Sequence, residues 1–143
     1  MPLSTVGLGA GARSYTRSLH HASPFAVTQS AVRANIDAWI DQSDDEFALA
    51  RHGYRLDDDE QRRRFVLLSL LDTGVDRAAY AARFGGDVLW HLPALAEAIG
   101  EALVWDDAGV LRLTERGVEH SDVLGHWLQS HAVRAARDGW VAA

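Results

Sequence analysis

Apolar residues recur at helical spacing along most of this chain, and one later stretch is rich in strand formers. Val32, Ile36, Trp39 and Ile40 fall on one face of a helix that starts near Ser30. The polar stretch "DQSDDEFALARHGYRL" then reads as a connection with a short turn at residues 46–50. A stronger element begins at "LDDDEQRRRFVLLSLLDTG". There Phe65, Leu68 and Leu71 form a stripe that Val66, Leu67 and Leu70 widen, a breadth that implies burial on more than one side. Asp57 is its candidate N-cap, and Asp58, Asp59 and Glu60 lie where the helix dipole favours negative charge. Gly74 is the candidate stop. Arg62, Arg63 and Arg64 sit within a turn of those acids, so they read as a solvated helix face and not as a nucleic-acid patch.

Further on, Asp76 predicts the cap of a short helix carrying Tyr80 and Phe84, with Gly85 and Gly86 to end it. "DVLWHLPALAEAIGEALV" predicts one more helix, with Leu92, Leu95 and Ile99 inward. "ALVWDDAGVLRLT" predicts a hairpin with an acidic turn at Gly109, because Val104, Val110 and Leu111 favour strands. Thr114 should cap a helix reaching about His126, and Ser130 a last one with Val133 and Trp140 inward. The expected fold is mainly α (α+β). A winged-helix-like C-terminal domain with a small β-hairpin follows an irregular glycine-rich segment and a helix. The winged-helix order of elements spans residues 57–128.

Composition narrows the chemistry. The chain has 143 residues and no cysteine, so disulfides, thiol catalysis and cysteine-ligated metal sites are excluded within it. Every cationic side chain other than histidine is arginine, which removes Schiff-base chemistry and the lysine of a phosphate-binding P-loop. No apolar run approaches the ~20 residues that span a bilayer. No signal-peptide pattern opens the sequence. The expected location is the cytoplasm, with no membrane partner. The net charge of −6 provides no global field for nucleic acid. A winged helix often reads DNA with its third helix, yet residues 87–101 contain no Arg or Lys, and Asp106 and Asp107 stand at the hairpin tip where they would repel phosphates.

The segment "VGLGAGARSYT" places Gly7, Gly9 and Ala12 in the loose dinucleotide pattern, but neither a preceding strand nor a following apolar helix is predicted. What it offers is backbone that a ligand or another strand can approach closely. His20 and His21 are neighbours and would point to opposite faces of a strand. His120, His126 and His131 have no helical metal-ligand spacing, so no metal site is expected. His20, His21 and His126 are conceivable haem ligands, and nothing in the spacing selects among them.

Taken in order, "GLGAGARSYT", "HGYRLDDDEQRRRFVLLSLL" and "LRLTERGVEHSDVLGHWL" resemble the C-terminal region of the radical SAM proteins related to oxygen-independent coproporphyrinogen III oxidase, the HemN/HemW-like family. The resemblance covers about residues 5–130, with "GARSYT" in place of the "GAHS" form. It implies that residues 1–29 are a remnant of the end of a radical SAM barrel (a strand and the glycine loop). Residues 30–56 would be a helix and linker, and 57–143 the winged-helix-like C-terminal domain. By the same resemblance Gly7, Gly9, Gly11, Arg13, Ser14 and Tyr15 would lie near S-adenosylmethionine and substrate. The family uses a [4Fe–4S] cluster and S-adenosylmethionine, and this chain lacks the CxxxCxxC thiolates that hold the cluster. The expectation is a substrate-covering portion, truncated or split, without catalytic residues or cofactor of its own. Its partners would be a radical SAM barrel and a tetrapyrrole or other small substrate. Porphyrin biosynthesis is the process implied. The alternatives are a free-standing winged-helix regulator or protein adaptor, and a decayed gene remnant in which Trp39 would be left exposed.

Overall fold

The computed structural model describes residues 4–22, 24, 26–50 and 52–138. It is mainly helical with two small antiparallel sheets, and it divides into two compact units, residues 1–57 with 137–143 and residues 58–136.

In the first unit, β1 (Arg13–Tyr15), β2 (Leu19–Ala22) and β3 (Gly53–Arg55) form an antiparallel sheet in that order. The register sets Ser14 opposite His21 and His21 opposite Gly53, while Tyr15, His20 and Tyr54 share the other face. This sheet was not predicted, since its strands are three or four residues long and give periodicity almost nothing to act on. Helix α1 (Gln29–Ile40) starts at Thr28, whose hydroxyl accepts the Ala31 N–H. Its apolar face stays open: Val32, Ile36 and Ile40 are all exposed, and no residue of the helix is buried. Trp39 is half-buried, not exposed, because its ring meets the edge of Phe47 at 5.6 Å. Phe47 ends α2 (Asp44–Phe47), a full turn of helix where a short turn was expected at residues 46–50. Ser43 and Glu46 hold its start as a capping box.

The second unit has a true core. Helix α3 (Asp58–Leu71) buries Phe65, Val66 and Leu70. The chain turns at Gly74, whose N–H returns to the Ser69 carbonyl at 2.7 Å. The three arginines are half-buried, so the solvated-face expectation is corrected. Arg63 bonds Asp59 through Nε at 2.7 Å and the Leu128 carbonyl through Nη1 at 3.0 Å, tying the helix to a segment 65 residues further along the chain. Strand β4 (Val75–Asp76) leads into α4 (Arg77–Phe84), which Asp76 caps by accepting the Ala79 N–H and Gly85 ends in the left-handed conformation.

The single helix expected next is two, α5 (Val88–His91) and α6 (Ala94–Gly100), because Pro93 cannot donate the hydrogen bond that would carry α5 on. Leu92 and Leu95 are buried as expected and Ile99 is half-buried. The hairpin of β5 (Val104–Asp107) and β6 (Val110–Leu113) forms as expected, and β4 adds a third strand on β6, giving the order β4-β6-β5. Val75 lies opposite Leu111, and both are fully buried with Val66, Tyr80, Val88 and Leu95. The helix expected over residues 115–126 is also divided, into α7 (Glu115–Glu119), capped by Thr114, and α8 (Ser121–Trp127). Ser130 accepts the Val133 N–H at the start of α9 (His131–Asp138), where Val133 is half-buried. Trp140 lies outside the described residues.

Candidate functional site

The glycine run folds back on itself. Thr5 and Tyr15 pair through two backbone hydrogen bonds of 2.7 Å, and the loop between them turns at Gly9 and Gly11, whose φ angles are +103° and +77°. Ser14, a buried polar residue, accepts the Gly7 N–H at 3.1 Å through Oγ. A Cβ at Gly7 would stand 2.5 Å from the Arg13 carbonyl oxygen, so the loop closes this tightly only without a side chain. Gly53 plays the same part on the other side of the sheet, where a Cβ would strike the His20 carbonyl oxygen.

This packing leaves a cleft of about 660 Å³ within the first unit. Gly7, Gly9 and Ser14 form one wall, His21 and His52 come from the sheet region, and Trp39 and Phe47 close the helical side. The volume lies in the range of ligand sites, and the lining is mainly apolar with a few convergent polar groups. Of the residues singled out in the sequence, Gly7, Gly9 and Ser14 line the cleft and Gly11, Arg13 and Tyr15 are not among its lining residues. Arg13 is exposed on β1. Tyr15 stacks on His20 at 4.4 Å between ring centroids, and His20 in turn meets Tyr54 at 5.3 Å, on the face away from Ser14 and His21. The two neighbouring histidines therefore point to opposite faces, as expected of a strand. His52 and Gln42 were missed. They sit about 30 and 20 residues from His21 along the chain, and only strand register and the α1–α2 turn bring them to it.

In the second unit, the hairpin and α5 are locked together electrostatically. Arg77 Nη2 meets Asp87 at 2.7 Å, and its Nη1 meets Asp106 at 2.7 Å. The Arg77 hydrogen bond holds the Asp87 carboxyl below the usual range, helped by the Leu89 N–H. Asp106 is also held low, first by the Gly109 N–H and then by Arg77. Asp107 pairs with Arg112 at 3.1 Å. The hairpin acids, read from sequence as a phosphate-repelling tip, are thus already paired with arginines. Tyr80 is fully buried between Phe65 and Phe84, and its hydroxyl shares a hydrogen bond of 3.1 Å with His91 Nδ1. Burial pushes its phenol up to about 12.

Among the described residues no group of three or more His, Asp or Glu side chains could hold a metal ion, and no helix is long and apolar enough to cross a membrane. Compared with known families, residues 56–120 match the HemN C-terminal domain. No curated protein and no solved structure matches the chain. The matched stretch runs from the end of the first unit through α3–α7, and it takes in residues 56–71 of the second motif read from the sequence and residues 111–120 of the third. Over these residues the chain is similar to the C-terminal region of HemN-like proteins.

Proposed function

We propose that this chain is the substrate-covering portion of a HemN-like radical SAM protein and works against a cysteine-bearing barrel supplied from outside these 143 residues. The observation that carries the proposal is the match of residues 56–120 to the HemN C-terminal domain. The donor set supports the division of labour. A [4Fe–4S] cluster needs thiolates, the chain has none, and no step of radical chemistry is assigned to its residues. The open apolar face of α1 supports a covering surface outside the chain as well.

In this reading the first unit meets the barrel and the glycine loop lies toward S-adenosylmethionine and substrate, with Gly7, Gly9, Gly11, Arg13, Ser14 and Tyr15 nearest to them. The second unit is a winged-helix-like domain used for protein contact. Its order α3-β4-α4-α5-α6-β5-β6 and its strand order β4-β6-β5 support that description. Its candidate recognition helices carry no Arg or Lys, which argues against a DNA-reading role. The substrate would be a tetrapyrrole or another small molecule, handled in the cytoplasm.

Two measurements test this. The purified chain, given S-adenosylmethionine and dithionite, is expected to release no 5′-deoxyadenosine, and release above a protein-free control would overturn the non-catalytic reading. The native protein is then recovered from its own cells for intact mass and peptide mapping. Peptides running upstream of Met1 into a cysteine-bearing barrel, or a cysteine-bearing polypeptide that co-purifies with a species starting at Met1, would support the proposal. A species starting at Met1 with no such partner would sink it.

A further inference from the structure

In the second unit a large aromatic side chain stands in water on a rigid support. Trp90 is 80% exposed, whereas Trp105 is 46% exposed and Trp39 and Trp127 are half-buried. The helix that carries it, α5, is held at both ends. Asp87 accepts the Leu89 N–H at 2.8 Å and meets Arg77 at 2.7 Å. The His91 ring bonds the Tyr80 hydroxyl and lies against Gly86, where a Cβ would stand 3.0 Å from its Cε1. Val88 and Leu92, two residues to either side of Trp90, are buried. Trp offers a large contact area at a small cost in rotamer freedom, so an indole presented to water by a fixed backbone is a ready anchor for a partner.

Charge selects the kind of partner. Residues 58–136 carry thirteen Asp and Glu against eight Arg, so five of the six net negative charges of the chain lie in this unit. The arginines that meet α4–α6 are engaged. Arg77 holds Asp87 and Asp106, Arg83 lies over the rings of Phe65 and Phe84 at 5.3 and 5.0 Å, and Arg116 donates to the Glu101 carbonyl at 2.8 Å. Glu97 is exposed on α6 between the buried Leu95 and Ala98, and among the described residues it makes no ion pair.

We propose that the exposed face of α5–α6 docks a basic polypeptide segment, with an arginine of the partner over the Trp90 indole and a further cation toward Glu97. A guanidinium is attracted to an indole face, and the negative field of the unit draws in cations while it repels nucleic acid and acidic surfaces. The proposal rests on the protein-contact role proposed for this unit, but it needs neither the barrel nor the cluster.

The test uses the intact chain and two capped peptides of equal length, one of alternating arginine and glycine and one with citrulline in place of arginine, which keeps the shape without the charge. Binding is followed by NMR through the indole N–H signals. The arginine peptide is expected to shift the Trp90 signal saturably, at least about tenfold more tightly than the citrulline peptide, and to leave those of Trp39 and Trp127 in place. Trp90→Ala should weaken the arginine peptide at least about fivefold and Glu97→Gln about twofold. Both positions are exposed, so the urea midpoints of the two variants should match the parent. If a midpoint falls, the Trp90 signal of the unaltered chain decides. An unmoved Trp90 signal, equal affinity for the two peptides, or undiminished affinity in a folded variant would overturn the proposal. The other occupant is a second copy of the chain. A dimer in sedimentation that Trp90→Ala dissolves would overturn the basic partner in favour of self-association. Failure of the chain to associate with a barrel would not alter any of these results, so the two proposals can fail separately.

Discussion

Helices α1 and α3 both carry apolar residues at helical spacing, yet only α3 buries any. Val66 is 0% exposed, whereas Val32 and Ile36, one turn apart on α1, are 41% and 43% exposed. The difference extends to the units they belong to. The second unit surrounds α3 with β4, β6 and α4, and the inward residues of all four meet in one core. The first unit has a three-stranded sheet and two helices, but its interior is a cleft where a core would be. Of its apolar residues, Val6, Leu8, Ile40 and Leu49 are all left in water. Amphipathic periodicity names an element and its apolar face. It does not say whether the same chain covers that face.

The sharpest way to break the comparison is to cut into each apolar set in turn. Leu95→Ala or Leu111→Ala, at positions with no exposed surface, should destabilise the second unit by ~2–5 kcal/mol, read from urea unfolding. A loss below about 1 kcal/mol would mean that this core is not the one holding the unit together.

The next effect probes close backbone approach in the first unit. Gly53→Ala should cost ~1–3 kcal/mol locally, because the new methyl group meets the His20 carbonyl. Hydrogen exchange should accelerate in β1–β3 and stay unchanged in α3 and β6. Uniform acceleration throughout the chain would contradict the division into two units.

The capping and ion-pair predictions are smaller. Asp76→Ala removes the N-cap of α4 and should cost ~0.5–2 kcal/mol. Asp87 contributes through pH. Its carboxyl is depressed in the folded state, so its stabilisation is present above the ordinary carboxylate pKa and is lost as pH falls through the lower folded value. Urea midpoints of the second unit should therefore drop below about pH 4, and Asp87→Asn should flatten that acid limb. An unchanged limb would mean that Arg77 does not hold Asp87 in solution. The smallest effect is expected from Val32→Ser with Ile36→Ser, within ~0.5 kcal/mol of the parent. A large loss there would show that α1 is covered after all.

Most of the second unit was legible in the sequence because its signals are local. Asp76, Thr114 and Ser130 cap where their side chains predict, Gly85 stops α4, and the hairpin forms around Gly109. The errors there have local causes too. Pro93 was passed over inside an apolar run, and the break at His120 has no strong signal. The half-burial of Arg62–Arg64 was not legible, since a charge run looks the same whether its stems face water or protein.

The first unit was legible mainly through resemblance. Gly7, Gly9 and Ser14 were singled out that way, and they do line a cleft, while His52 and Gln42 on the same cleft were not found. By itself, the sequence determined the helices and hairpin of the second unit, the absence of any thiolate for a cluster, and the family signal over residues 56–120. Capping, chain stops and composition act over a few residues, so they survive without the fold. Tertiary structure alone decided that His21 and His52 share a cleft, that Arg77 spans Asp87 and Asp106, and that the α1 face stays open. Each of those depends on strand register or on packing between residues distant in the chain, and no short-range pattern encodes it.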